Sequence, residues 1–296
     1  MNLWMWQFKG DSMRLYTVEL DGDERVVVEN TDKQLVALDS IGIKVSNMNE
    51  LINRFDELKD GIENNIKNGN EIKNYKILAP IPVPKQDIIC LGVNYKEHID
   101  ETTDIVDFTN KQDAVYFSKR VNRCNKPDGI IPVYDFVDSL DYEVELGVIL
   151  KKDAFQVSVE DAVDYIFGYT IINDVSARNI QLKHQQWYLG KSLDGYTPMG
   201  PCIVTEDDIK DVHNLVLECY VNGEKRQSSN TAYMITTIEE AISELSQGMT
   251  LKAGTIIATG TPGGVGMGMT PPKFLQHGDV VSCRISYIGE LVNTIE

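Results

Sequence analysis

Residues 141–150 read DYEVELGVIL. Val144, Leu146, Val148, Ile149 and Leu150 have the apolar, β-branched character of a buried strand, yet Glu143 and Glu145 interrupt it one residue apart. On a strand, side chains two apart share a face, so both glutamates project together, with Val144 on the opposite face. Two like charges close together beside a core repel and are poorly hydrated. They need a cation between them or raised pKa values. A divalent metal meets both needs, and oxygen-only ligands favour Mg²⁺, Mn²⁺ or Ca²⁺ over zinc. The pattern alone also suits an edge strand with a solvated glutamate face. A third carboxylate weighs against that reading. In YTIINDVSARNIQ an apolar strand runs into Asp174 where it gives way to loop or helix, a favoured place for site residues, though also for a cap or turn.

Outside this stretch the chain divides in two. Residues 1–79 read as a small α/β amino-terminal domain. MRLYTVEL and ERVVVEN are strand-like and joined by Asp21-Gly22-Asp23, a hairpin signal. NMNELINRFDELKDGI follows as a helix, with Asn47 and Glu50 spaced as a capping box. Pro80, Pro82 and Pro84 alternate in LAPIPVPKQ, which a central ladder cannot accommodate, so an extended linker or edge marks the boundary. Residues 86–296 form the second, strand-rich domain. DIICLGV, AVYFSK, EVELGVIL, YTIIND, LVLECYV, TIIATG and VVSCRIS are separated by turn residues, Asn222-Gly223 being a strong hairpin signal. Two helices are expected among them. Ser158 with Asp161 opens one; Thr237 with Glu240 opens the other, whose apolar face carries Ile238, Ala241, Ile242 and Leu245. Strands outnumber helices without alternating with them, so the expected class is a β-rich α+β fold.

A length of 296 residues suffices for one large or two modest domains. The net charge of −17 argues against nucleic-acid or anionic-membrane partners, because binding phosphates needs clustered Lys and Arg. The five cysteines lie far apart with no CxxC pair, so they read as reduced and buried. The apolar start MNLWMWQFKG is too short for a signal segment and contains Lys9, and no later stretch reads as a membrane span. A cytoplasmic protein is expected.

The stretches LGVNYKEHIDE, DYEVELGVIL, GYTIINDVSARNIQ, WYLGKSLDGYTPMGP and ATGTPGGVG follow one another in an order and approximate spacing that resembles the fumarylacetoacetate hydrolase family. The resemblance covers roughly residues 86–296. The unit before it resembles the small amino-terminal domain of many bacterial members. A mixed β-roll with a divalent-metal site acting on 2-oxo or 2,4-dioxo acids is what the resemblance implies. It also implies that Glu143, Glu145 and Asp174 are the metal ligands, with Mg²⁺ the expected ion and Mn²⁺ or Ca²⁺ the alternatives. His98 and Glu101 stand three apart, on one face of a helical turn. That spacing also fits a surface pair. The resemblance favours a dyad in which the carboxylate orients the imidazole for water activation or proton transfer.

By the same resemblance Lys191 is a catalytic residue that balances charge on an enolate or carboxylate. Arg178 and Gln181 match positions that hold the substrate carboxylate, a task suited to the planar fork of Arg. Gly260 and Thr261 open GTPGGVGMG beside the metal pocket, with Thr261 donating to the substrate. A phosphate-binding reading of these glycines fails because the Walker pattern is absent. Lys119 and Arg120, in YFSKR, reach toward the cleft, Arg120 as the candidate for setting specificity. Tyr196 and Met199 either line the pocket or belong to the core. Tyr233 departs from the family pattern, in which an acidic residue precedes the methionine.

The expected activity is metal-dependent hydrolysis of a C–C bond in a 2,4-dioxo acid of the acylpyruvate or fumarylpyruvate kind. The same site would alternatively isomerise or decarboxylate 2-hydroxymuconate-type oxo-diacids of aromatic catabolism, or decarboxylate oxaloacetate; the distal pocket decides. A small oxo acid is the expected partner, in a homodimer of the kind the family commonly forms. A non-catalytic binder that kept the fold is the rival, and the presence of His98, Glu101 and Lys191 argues against it.

Overall fold

The computed structural model describes residues 13–102 and 113–296; the opening MNLWMWQFKG lies outside the described residues. In the amino-terminal part, β1 (Arg14–Leu20) and β2 (Asp23–Glu29) form the expected hairpin, with Asp21 and Gly22 at positive φ of 55° and 89°. Then come β3 (Leu35–Ala37), α1 (Met48–Asn53), α2 (Phe55–Asn65) and β4 (Lys76–Ile77). Asn47 caps α1 by accepting from the Glu50 amide at 3.0 Å. Glu50 does not close the box on Asn47. It accepts from the amide and hydroxyl of Ser46 one residue earlier.

Beyond the prolines, which form no strand, lie β5 (Ile88–Gly92), α3 (Lys96–Thr102), β6 (Val115–Lys119), β7 (Ile130–Ile131), β8 (Leu140–Asp141) and β9 (Val144–Leu150). They are followed by β10 (Ile166–Asn173), β11 (Ser176–Ala177), α4 (Arg178–His184), α5 (Trp187–Lys191), β12 (Met199–Thr205), β13 (Val216–Val221) and β14 (Glu224–Asn230). The chain closes with α6 (Ile238–Ser246), β15 (Ile256–Ala258), β16 (Val280–Ile285) and β17 (Gly289–Ile295). The Ser158–Asp161 bond forms at 2.8 Å, but the helix it was expected to open does not. A single 3₁₀ turn at Ala162–Tyr165 leads directly into β10, because Ile166 and the residues after it are drawn into the ladder with β9.

The main sheet runs β3-β2-β1-β12-β10-β9-β15-β5-β6, with β4 paired to β1; a second runs β14-β13-β16-β17-β7. The pairs β15/β5 and β17/β7 are parallel and the neighbours of β9 antiparallel, so the main sheet is mixed and the protein is a β-rich α+β fold. β1 pairs along β12, with Arg14 opposite Val204 and Leu15 opposite Ile203, so strands from both sides of the proline cluster share one sheet.

β9 lies in the middle of this sheet and is buried throughout. Val144, Leu146, Val148 and Leu150 point into one core, together with Leu217, Val281 and Ile285 of the second sheet and Ile238 and Ile242 of α6. Ile149 faces the other core, which holds Leu51, Phe55 and Ile62 of α1 and α2. Alternation therefore puts Glu143 and Glu145 on a covered face, which rules out the solvated-edge reading. All five cysteines are free and buried. Among the described residues no helix is long and apolar enough to cross a membrane.

Truncating Leu146 in the middle of β9 should remove packing on the face shared by both sheets. Leu146→Ala is expected to cost about 2–5 kcal/mol in urea denaturation, with an unchanged m value.

Candidate metal centre

Strand register assembles the acidic cluster. In the β9/β10 ladder Val144 lies opposite Asn173 and Glu145 opposite Ile172, which sets Asp174 beside Glu143. Two hydrogen bonds fix this corner: the Asp174 amide donates to the Glu143 carbonyl at 2.9 Å, and the Glu143 amide to the side-chain Oδ1 of Asn173 at 3.0 Å. Glu143, Glu145 and Asp174 are all buried and offer one oxygen each within 4.8 Å of one another.

Three cations face them. Lys191 Nζ bridges Glu143 Oε2 at 2.6 Å and Asp174 Oδ2 at 2.7 Å. Lys119 Nζ donates to Asp174 Oδ1 at 2.6 Å and to the Val175 carbonyl. Arg178 pairs with Glu143 Oε1 at 2.8 Å and, through Nε, with Asp141 Oδ2 at 2.9 Å. Burial opposes ionisation of Glu143, but Lys191 and Arg178 outweigh it and hold its pKa down at about 2. Glu145 differs. Burial, and then the charges of Asp174 and Glu143, push its pKa well above the ordinary carboxylate range.

Four carboxylates, Asp141 included, thus meet three cations, and none of these seven residues is more than 3% exposed. With Glu145 ionised, the balance is one negative charge in excess, and it falls on Glu145. Added to this all-oxygen donor set, a hard dication would leave one positive charge, which the carboxylate of an oxo acid would neutralise. The residues present fit a divalent metal.

The glycine-rich stretch after β15 wraps the same groups. The Gly260 amide donates to Glu145 Oε2 at 2.9 Å, the Gly264 amide to Glu101 Oε2 at 2.7 Å, and the Gly266 and Met267 amides to Asp141 at 2.8 and 3.0 Å. Gly260 and Gly264 take φ of 92° and 102°, and a Cβ at 264 would lie 2.0 Å from the Arg226 carbonyl oxygen. Glycine is required at both positions.

On α3, His98 Nδ1 meets Glu101 Oε1 at 2.8 Å. A carboxylate there accepts a hydrogen bond from Nδ1–H, so the neutral ring keeps its proton on Nδ1 and Nε2 carries the lone pair. His98 lines a cavity of about 50 Å³ with Glu143, Glu145, Lys191, Arg178 and Gln181, so the imidazole and two of the three carboxylates share one space. A larger cavity of about 630 Å³, against α2, contains none of these groups; one of its lysines, Lys59, is paired with Asp207.

Other expectations need correction. The guanidinium of Arg178 is engaged by Asp141, Glu143 and, through one terminal nitrogen at 3.1 Å, Gln181 Oε1, so it is not a free clamp for substrate. Gln181 keeps its amide nitrogen as a donor at the cavity. The Thr261 hydroxyl donates to the Val144 carbonyl at 3.0 Å, so it is not available to a substrate. Arg120 points outward, its side chain 60% exposed, whereas Lys119 is fully buried; successive strand residues alternate, and only one of the pair can face in. Tyr196 and Met199 are core residues, and Tyr233 is exposed. Asp141 is the residue missing from the expected set, and Lys119, expected only to reach toward the cleft, is an ion-pair partner of Asp174.

Ionising Glu145 costs the metal-free protein stability. Its folded pKa is raised, so the contribution present at acidic pH is lost as pH rises through that pKa. In chelator, Glu145→Gln should therefore melt higher than wild type at alkaline pH, with the difference shrinking towards acidic pH. With Mn²⁺ added, wild type should gain melting temperature and the variant should not. Scanning calorimetry across pH, with and without metal, checks both signs.

Residues 87–296 match the model of the fumarylacetoacetate (FAA) hydrolase C-terminal family. Among curated proteins the chain is 46% identical over 225 residues to oxaloacetate tautomerase YisK of Bacillus subtilis, covering 76% of this chain and 74% of that one. A solved fumarylacetoacetate hydrolase from Exiguobacterium antarcticum superposes with a TM-score of 0.79 at 36% identity, over 96% of this chain and 99% of the other. A maleylpyruvate hydrolase from Sphingobium sp. SYK-6, solved with manganese (II) and pyruvate, gives 0.77 at 27% identity over 96% and 98%. A match over most of its length, with motifs folded around one buried acidic cluster, makes this chain a member of the fumarylacetoacetate hydrolase family.

Proposed function

We propose that this protein is a divalent-cation-dependent enzyme that interconverts the enol and keto forms of a small 2-oxo acid of the oxaloacetate type. The observation that carries this reading is one small cavity, about 50 Å³, lined by Glu143, Glu145, Lys191 and His98, with Asp174 completing the acidic cluster beside it. The name of the Bacillus subtilis relative, oxaloacetate tautomerase, supports the same choice.

A dication held by Glu143, Glu145 and Asp174 would supply Lewis-acid polarisation of a 2-oxo acid's oxygens. The chain's own groups do the rest. His98 Nε2 takes a proton from the carbon beside the carbonyl and returns it to the carbonyl oxygen, so no water is consumed. Glu101, pinned by the Gly264 amide, holds the ring in the tautomer that leaves Nε2 free and stabilises the imidazolium between the two transfers. Lys191 places a positive charge beside the oxygen that gains electron density. The Gln181 amide donates to the acid's carboxylate.

A second reading, hydrolysis of a 2,4-dioxo acid, has one supporting observation: the maleylpyruvate hydrolase with manganese and pyruvate shares the fold. His98 Nε2 would then take its proton from water. The purified protein with Mg²⁺ or Mn²⁺ should accelerate loss of the oxaloacetate enol absorbance, and chelator should abolish the effect. His98→Ala should lower that rate by about 10²–10⁴. Metal-dependent cleavage of acetylpyruvate without any acceleration of oxaloacetate tautomerisation would replace this reading with the second.

A further inference from the structure

Trp187 and Lys191 are the first and last residues of α5, one helical turn apart and so on one face. Lys191 reaches the carboxylates; Trp187 lines the same cavity. The indole is wedged in place. A Cβ on residue 92 would lie 2.0 Å from its Cζ3 and 2.6 Å from its Cη2, so the six-membered ring rests directly on the backbone of Gly92 in β5. The φ of Gly92 is not in the left-handed region, so the contact explains the glycine, which otherwise weakens a strand. On the neighbouring strand Phe117 meets the indole edge to face, centroids 5.1 Å apart, and its own ring lies 5.3 Å from Lys191 Nζ. Leu91 and Leu182 extend this apolar side.

Among the described residues lining the cavity, the cations are Lys191, Arg178 and, when protonated, His98, all at the carboxylate end. A four-carbon acid keeps both of its carboxylates near that end. A longer diacid would set its far carboxylate against indole and leucine, where no cation among the described lining residues stands to pair it. A bulky apolar tail would need the volume the indole fills.

Resting on the small-acid reading above, we propose that Trp187, braced by Gly92 and Phe117, is the residue that sets the length of 2-oxo acid the site accepts. The test reads binding, so it does not depend on which reaction follows. Mn²⁺-loaded wild type, Trp187→Ala and Trp187→Phe are titrated calorimetrically with oxalate and with benzoylformate, a 2-oxo acid whose phenyl tail cannot enolise. Wild type should prefer oxalate. Trp187→Ala should improve the benzoylformate-to-oxalate ratio by about tenfold or more, with Trp187→Phe in between and Mn²⁺ affinity unchanged. Should the alanine variant fail to fold, the phenylalanine variant carries the same expectation with a smaller shift. An unchanged ratio in folded variants, or wild type binding both acids equally, overturns the proposal. A site that shows this shift yet does not tautomerise oxaloacetate would instead sink only the proposed reaction.

Discussion

The structure depends on burying four carboxylates next to one another at the centre of a β-sheet. Such a cluster would disrupt a core unless its charge were met at close range, because each unpaired buried ion costs several kcal/mol. Lys119, Arg178 and Lys191 meet three of the four. The remaining charge is the feature that makes the cluster a receptor and not merely a network of ion pairs. The same imbalance, costly without a metal, would favour a dication between these carboxylates.

The glycine-rich turn serves this arrangement. Backbone amides converging on an anion are the device of phosphate-binding loops. Here the anions are the protein's own side chains: Glu145 from the carboxylate trio, Glu101 from the His98–Glu101 pair and Asp141 from the ion-pair network. One short stretch of backbone thus holds three parts of the site in a common frame. A loop tied at three points fixes these groups relative to one another more closely than isolated side chains would, the kind of placement that the proposed proton transfer needs.

Much of this was legible in the chain itself because its signals are local. Period-two alternation gives the shared face of Glu143 and Glu145, the strand end gives Asp174, and the three-residue spacing gives the His98–Glu101 pair on α3. Asp141 carries the same alternation, two residues before Glu143. Its partners, Arg178 and the Gly266 amide, come from distant parts of the chain, so its role appears only after folding. The contrast between Lys119 and Arg120 is a matter of strand parity, which is set by the pairing of Lys119 with Ile88 and cannot be read from two adjacent basic residues. Arg178 and Thr261 were legible as site residues but not as occupied ones. Whether a donor is already spent depends on three-dimensional neighbours that sequence spacing does not encode. The absent helix after Ser158 reflects the same limit, since a genuine cap signal lost to the ladder that claims Ile166 onward.

One consequence follows from the pairing of β1 with β12. The first strand covers a row of amides and carbonyls on β12 that would otherwise be an open edge, two strands away from β9. A chain started after the prolines would present that row to solvent, where it would be a template for a strand from another copy. The leading segment thus works as a hem on the sheet: cutting it off would invite fraying and aggregation, not release a smaller, self-sufficient enzyme.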